Sequence, residues 1–547
     1  MWRPLFILIE TYFPLVCCLN TVMRTMQPCR QILKAGLGTG LPISADLQPR
    51  LTCSFFSVRR YLECRTSVAF YRMAAQCLLC LTFAWSIEAH AVPSDATAAV
   101  HTLMTKLYER GQFNGSIIVT HDGDVIYRNA FGEANRESHL KFTPKTPSNL
   151  ASVSKQFTAM TVMMLSEKGK INYDDPVSKY IPKLRECVNG ITVRHLLTHT
   201  SGIPDVGDLG IDHPGLREGE VLKAVMKQHS QFSNPGVRYQ YSNTGYILLA
   251  MIVERISGKS FSDFLQENIF RPLGMNSTFL DDGSGHKLNF AATAYNQYGE
   301  LDDPYAAASG DFTKGDGGIY STVDDLLKWD QALYTEKLVR QSTLAEAFTP
   351  GKVKEGATTY GFGWNVSHNW LSGEKYIWHT GSTGGFRAFI GRRLGEKLTV
   401  IMLTNIGNSP RVEINDAIVN ICHGMDYNLP KLPMATKMYD SIKKQGIEAA
   451  LRMYDSLKAT EKASYEFSES EFNSLGYKLL GDGDQRGATL IFELNTAQYP
   501  ASSNAFDSLG EAYQKGGKND LAIKAYKRAV ELDQNNLHAR NMLRKLE

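Results

Sequence analysis

The sequence predicts an α+β protein, with an antiparallel sheet beside helices, followed by a separate all-α array. Three observations predict it. Residues 115–130 read as strand, tight turn and strand, which implies an antiparallel pair. Residues 157–165 form an uncharged apolar run, read as a helix buried on most sides. Beyond about residue 430 the glycine-rich, strand-like texture stops and a 34-residue period begins.

At 547 residues the chain is too long for one ordinary domain, and two or three are expected. Its formal charge is +3, unevenly spread. Residues 1–91 carry nine Lys/Arg and four Asp/Glu, a net +5, which leaves −2 for the rest. A nearly neutral body argues against nucleic acid as a partner. Seven of nine cysteines precede residue 92. Cys187 and Cys422 remain in the body, either paired in an oxidising compartment or as buried thiols. There is no paired C-x-x-C and no H-E-x-x-H, so no metal is expected.

Met73 to Ala91 reads as a secretory signal. An apolar stretch from Cys77 to Ile87 precedes the small-x-small site Ala89-His90-Ala91, and it is too short to span a membrane. The expectation is a periplasmic or secreted protein with no integral membrane span. Residues 1–72 show no repeat and no domain signature. They are read either as upstream of a true start at Met73 or as a disordered or cleaved leader.

From residue 92 the elements follow in order. Residues 95–110 place Val100, Leu103, Met104 and Leu107 at helical spacing. The hairpin at 115–130 comes next. Ser152-Val153-Ser154-Lys155 then heads the apolar run. At i and i+3 on one helix face, the Lys155 amine stands beside the Ser152 hydroxyl, and a serine becomes a nucleophile only beside a base. Residues 191–198 read as a helix capped by Thr192. Asn234-Pro235-Gly236 leads into Tyr241-x-Asn243 and an apolar helix near Gly245. Tyr241 can relay the serine proton if a cation such as Lys155 lies close. Asn243 offers a donor and an acceptor for the lysine and a substrate amide. Gly315 to Gly318 reads as a tight loop near the site or merely the entry to a helix opened by Thr322.

His379-Thr380-Gly381-Ser382 precedes two strand-like runs, 386–393 and 397–404. Small residues there let a substrate backbone approach, and a backbone N–H joined to that of Ser152 makes an oxyanion hole. Three partial matches serve as controls. Ser441 to Lys444 repeats Ser-x-x-Lys and reads as solvated helix surface. Tyr127-Arg128-Asn129 repeats Tyr-x-Asn and reads as sheet packing. His195 and His199, at i and i+4, read as structural.

With SVSK (152–155), HLLTHTSGIP (195–204), NPG and YSN (234–243), GGIYST (317–322), YGFGW (360–364) and HTGSTGGF (379–386) in that order, the chain resembles the serine β-lactamase-like hydrolases. It looks closest to class C β-lactamases, esterases of that fold and D-amino-acid peptidases. The resemblance covers about residues 95–425 and implies an antiparallel sheet flanked by helices plus an all-helical subdomain. It implies Ser152 as the acylated nucleophile, Lys155 assisting, and Tyr241 as base and then acid. Asn243, His379, Thr380, Gly381 and Ser382 would bind substrate, with the Ser382 N–H pairing with that of Ser152. No cofactor is implied. His379 stands where the β-lactamases usually have lysine. An ordinary histidine is mostly neutral at pH 7, which favours neutral esters, amides or D-amino-acid peptides over β-lactams.

In the C-terminal part, Phe472, Leu475, Gly476, Leu479, Ala488 and Phe492 recur 34 residues later as Phe506, Leu509, Gly510, Tyr513, Ala522 and Tyr526. This resembles the tetratricopeptide repeat, and residues 435–458 add two further helices. The domain reading is therefore 1–72 leader, 73–91 signal, 92–425 hydrolase and 430–547 helical repeats. The expected function is an exported serine hydrolase acting on a small molecule or short peptide through a Ser152 acyl-enzyme. The alternative is a binding protein for penicillin or wall peptides without turnover, whose repeats recruit a protein partner.

Overall fold

The computed structural model describes residues 92–547, apart from 214, 228–233, 282–289, 303–312 and 369–372. The expected leader and signal lie outside the described residues. The described residues form one compact unit.

Six strands form one antiparallel sheet: β1 (Gly115–His121), β2 (Asp124–Phe131), β3 (Asn365–His368), β4 (Lys375–Thr383), β5 (Phe386–Arg393) and β6 (Leu398–Thr404). Their spatial order is β2-β1-β6-β5-β4-β3. The hairpin between β1 and β2 turns through Asp122 and Gly123, at φ 50° and 93°. Two left-handed residues match the natural twist of a two-residue hairpin. β1 then pairs with β6, Gly115 opposite Thr404, which joins the two ends of this part of the chain.

Five principal helices belong to the sheet domain: α1 (Ala96–Glu109), α2 (Lys155–Glu167), α3 (Asn243–Ser257), α4 (Val323–Ala332) and α5 (Arg411–Cys422). Side chains alternate across a strand. Ile117, Val119 and Val400 therefore pack with α1 and α5, among Val100, Leu103 and Ile418. Ile118, Ile401 and Leu403 pack on the opposite face with Val153 and Phe157 of the nucleophile segment. Burial of both faces explains why β6 is apolar at almost every position. α2, α3 and shorter helices including Val193–Leu197 and Phe261–Leu265 share that second core as a helical subdomain. Cys187 is half-buried, Cys422 is buried, and both are unpaired thiols.

Seven helices follow: α6 (Met434–Gln445), α7 (Ile447–Thr460), α8 (Glu469–Gly481), α9 (Gln485–Gln498), α10 (Ser503–Lys515), α11 (Asn519–Leu532) and α12 (Leu537–Leu546). α8, α10 and α12 begin 34 residues apart, as do α9 and α11. Gly476 packs on the Phe492 ring and Gly510 on the Tyr526 ring. A Cβ at either glycine would stand 2.5 or 2.7 Å from the ring. The recurring glycine is thus a packing requirement. Ser441, expected on a solvated surface, is 9% exposed. It continues the buried stripe of Met434 and Met438 along α6.

The helices dock on the sheet domain through polar contacts. Arg110 Nη2 and Gln112 Nε2 donate to the carbonyls of Pro430 and Lys431, at 2.9 and 2.8 Å. The Tyr439 hydroxyl lies 2.8 Å from Glu300 Oε1 and 2.9 Å from Asp482 Oδ2. Lys478 pairs with Glu300 at 3.0 Å.

Candidate active site

Ser152 was expected in the first turn of an α-helix. It lies instead in a one-turn 3-10 segment, Ala151–Ser154, that runs directly into α2. In a 3-10 turn, residues i and i+3 eclipse each other. That geometry sets Lys155 Nζ 3.0 Å from Ser152 Oγ. Ala151 adopts φ +45°, a left-handed conformation that costs a non-glycine residue about 1–2 kcal/mol. Its N–H is held by Asn149 Oδ1 at 2.7 Å. Every residue of α2 from Lys155 to Leu165 is buried, so the nucleophile stands on a fixed element.

Lys155 is fully buried and makes three hydrogen bonds. It donates to Ser152 Oγ, to Asn243 Oδ1 at 2.7 Å and to the Asp316 carbonyl at 2.8 Å. An ammonium has three N–H donors, and all three are used. Asn243 is the first residue of α3, which Ser242 caps. Asp205 takes its backbone N–H at 2.5 Å and its Nδ2 at 3.1 Å. A carboxylate can only accept, so Asp205 turns the Asn243 amide to present Oδ1 to the lysine. Sequence reading missed Asp205, which follows Gly202-Ile203-Pro204 with no spacing signal of its own.

The Gly315–Gly318 loop packs along the nucleophile segment. Thr158 Oγ1 donates to the Gly315 carbonyl at 2.6 Å, and Leu150 N–H donates to the Ile319 carbonyl at 2.8 Å. Gly315 has φ +99°, and a Cβ there would lie 2.4 Å from the Tyr246 carbonyl oxygen. Both readings of this loop apply, since Thr322 also caps α4 through Asp325 N–H at 3.1 Å.

The Tyr241 ring lies over Lys155, 5.0 Å from Nζ to the ring centroid. Its hydroxyl makes no hydrogen bond among the described residues. His199 backs the ring at 4.2 Å between centroids. Burial, reinforced by the nearby Lys155 charge, holds His199 well below the usual imidazole range, so it is neutral. His195 completes a reciprocal cap with Thr192, at 3.2 and 3.3 Å. The two histidines thus have separate structural tasks. Tyr127, in the second Tyr-x-Asn match, bonds to His101 and Asn129 on β2.

β3 pairs with β4 only as far as Trp378, which leaves His379 to Thr383 open on that side. Gly381 meets the nucleophile turn, where a Cβ would lie 2.1 Å from the Leu150 carbonyl oxygen. Ser382 shares a cavity of about 420 Å³ with Ser152, Asn243 and Asp316. His379, expected to touch substrate, does not line that cavity. It is 3% exposed on the face of β4 that packs inward. Its Nε2 accepts from the Tyr360 hydroxyl at 2.7 Å, and its Nδ1–H donates to the Thr380 carbonyl at 2.6 Å. Burial first, then the Lys155 charge, pushes its pKa down to about 3. Among the described residues no cluster of His, Cys, Asp and Glu is placed to hold a metal ion. Ser152 lines the open cavity, with Lys155 and the Tyr241 ring behind it, and a serine beside a lysine and a tyrosine can be activated as a nucleophile.

The profile of the Beta-lactamase family matches residues 98–423, more than half of the chain. The chain belongs to the Beta-lactamase family. Among its relatives in this family is a penicillin-binding protein of Bacillus subtilis, 32% identical over 357 residues, 62% of this chain and 78% of that one. The octameric penicillin-binding protein homologue from Pyrococcus abyssi is 30% identical, with a TM-score of 0.54 over 64% of this chain and 81% of that one. D-amino acid amidase from Ochrobactrum anthropi, 22% identical, shares the fold with a TM-score of 0.52 over 60% of this chain and 99% of that one. The C-terminal helices lie beyond the family match.

Proposed function

We propose that this Beta-lactamase-family protein is an exported serine hydrolase that cleaves an ester or amide through an acyl-Ser152 intermediate. One observation carries the reading: the buried Lys155 amine bonds Ser152 Oγ and Asn243 Oδ1 at once. Ser152 Oγ attacks the carbonyl carbon while Tyr241 takes its proton and returns it to the leaving group. Lys155 stabilises the alkoxide. The N–H groups of Ser152 and Ser382 receive the developing oxyanion. Water then releases the acyl group. The preference is for substrates without a carboxylate. In support, no Lys or Arg lines the cavity among the described residues, and His379 is neutral behind it. The C-terminal helices are read as a tetratricopeptide-like array that braces the hydrolase and offers a surface to a protein partner.

The test incubates the purified protein with short acyl esters, a chromogenic cephalosporin and D-amino-acid amides, and reads both turnover and acylation of Ser152 by mass spectrometry. Turnover with a transient Ser152 adduct is expected. A permanent adduct without turnover would replace the hydrolase by a binding protein.

A further inference from the structure

The oxyanion donor assigned to Ser382 belongs to the peptide bond between Gly381 and Ser382, and one arginine grips the other end of that bond. Arg411 Nη1 donates to the Gly381 carbonyl and, at 3.2 Å, to the Ala388 carbonyl, while Nη2 lies 3.1 Å from Ser382 Oγ. Gly381 and Ala388 stand opposite each other on β4 and β5, so one guanidinium nitrogen reaches the carbonyls of both. A trans peptide is planar, and its C=O and N–H point in opposite directions. With the Gly381 carbonyl turned towards β5, the Ser382 N–H is turned to the edge that β3 leaves open. Ser382 shares its cavity with Ser152.

Arg411 is anchored on a rigid element. It is the first residue of α5, whose Ile414 and Ile418 are buried in the core beneath the sheet. Burial first, and then the neighbouring Arg387 charge, lowers its pKa to about 10, so it remains a cation at pH 7. Arg387 donates to the Gly384 and Phe386 carbonyls, at 2.6 and 2.8 Å, and so holds the turn between β4 and β5. Neither arginine lines the cavity. A hydrogen bond from a charged donor is strong. A peptide that accepts at oxygen also becomes a better donor at nitrogen, by about 10–30% per bond. Guanidinium, carbonyl and N–H thus form one chain that ends where the oxyanion develops.

We propose that Arg411 is a positioning residue of the oxyanion hole: by holding and polarising the Gly381–Ser382 peptide from its carbonyl end, it strengthens the Ser382 N–H as a donor to the tetrahedral intermediate. The proposal rests on the acyl-enzyme reading above. Arg411 touches no substrate and transfers no proton. It brings positive charge to bear on the oxyanion without setting an arginine in the path of a neutral substrate.

The test uses the full-length protein with 4-nitrophenyl butyrate and phenylboronic acid, neither of which carries a carboxylate. The boronic acid adds to a serine hydroxyl as a tetrahedral anion, and its binding needs no turnover. Arg411→Met removes the charge and the donors, and Arg411→Lys restores the charge with a single point of contact. Removing a direct oxyanion donor costs about 10²–10³ in rate, so an indirect partner is expected to cost about tenfold. Arg411→Met should lower kcat by about that factor, leave KM within about twofold of wild type, and weaken phenylboronic acid in proportion to kcat. Arg411→Lys should recover part of both losses. A loss confined to KM would make Arg411 a substrate-binding group and overturn the proposal. Wild-type kcat and boronate affinity in a folded Arg411→Met or Arg411→Lys would overturn it too. So would a fall in kcat with boronate affinity unchanged, which would mark a disturbance elsewhere in the fold. If the wild type binds the boronic acid without hydrolysing the ester, the change in boronate affinity alone decides for or against Arg411. If it does neither, the acyl-enzyme reading fails and this proposal falls with it.

Discussion

The His199 imidazole accepts the Ser242 backbone N–H at Nδ1, 3.1 Å away, while its own carbonyl accepts the Gln240 N–H at 2.8 Å. Both neighbours of Tyr241 are therefore tied to one buried residue whose ring also packs, tilted, against the tyrosine. His199 adopts φ +54°, so the chain reaches this arrangement through a strained turn. His199→Phe keeps an aromatic ring and orphans the Ser242 N–H, at a cost of about 1–3 kcal/mol. The expected outcome is a fall in kcat of about tenfold or more with KM little changed, because Tyr241 loses its position and the cavity wall does not. Steady-state kinetics beside a melting curve check it. Unchanged kcat in a folded variant would separate His199 from Tyr241.

His379 gives a pH prediction of definite sign. Its pKa is near 6.5 unfolded and about 3 folded. Above pH 6.5 both states are neutral and the full stability is present. As pH falls from 6.5 towards 3, the unfolded state takes up a proton that the folded state refuses, so stability is lost over that window. The loss is on the order of a few kcal/mol. His379→Gln should flatten this acid limb in urea denaturation at pH 7 and pH 4.5. Wild-type activity between pH 5.5 and 8 should show no step from His379.

Gly381 and Leu150 touch so closely that a side chain cannot be added. Gly381→Ala would place Cβ 2.1 Å from the Leu150 carbonyl and push β4 away from the nucleophile turn. A displacement of about 1 Å at a catalytic group costs on the order of 10²-fold in rate. The measurement is kcat/KM of Gly381→Ala at constant fold, read by circular dichroism. Full activity would mean that Ser382 N–H is not needed near Ser152.

Local periodicity and capping made much of the fold legible. The α1 stripe, the hairpin at Asp122-Gly123, the Thr192 and Thr322 caps and the 34-residue spacing are short-range signals, and each appears within a residue or two of its expected place. The Ser152–Lys155 and Lys155–Asn243 contacts also lie where the motifs pointed. Long-range relationships were not legible. Nothing local to Asp205 says that it orients Asn243, and nothing near Tyr360 says that it caps His379. The inward turn of His379 depends on which face of β4 meets the nucleophile turn, and that is set by packing far away in sequence. Ser441 looked solvated because its neighbours are lysines, yet helix phase carries it into the buried stripe.

The Tyr439–Glu300 contact couples the helical array to the turn at residues 296–300. Tyr439→Phe removes the hydroxyl shared by Glu300 and Asp482, two groups already served by Lys478. The expected destabilisation is about 1–2 kcal/mol, from a hydrogen bond to charged acceptors in a part-buried setting. Chemical denaturation of the full chain measures it. No change would show that Lys478 alone holds this junction.

The central claim is that Ser152 carries the acyl group. The most direct measurement is rapid-quench mass spectrometry of the protein during turnover of an acyl ester, with peptide mapping of the adduct. The account predicts an acyl mass on the peptide containing Ser152 that appears and decays at catalytically competent rates. It also predicts an activity loss on the order of 10³-fold or more in Ser152→Ala, and near wild-type activity in Ser441→Ala. Turnover retained in Ser152→Ala, or an adduct on any other residue, would contradict it.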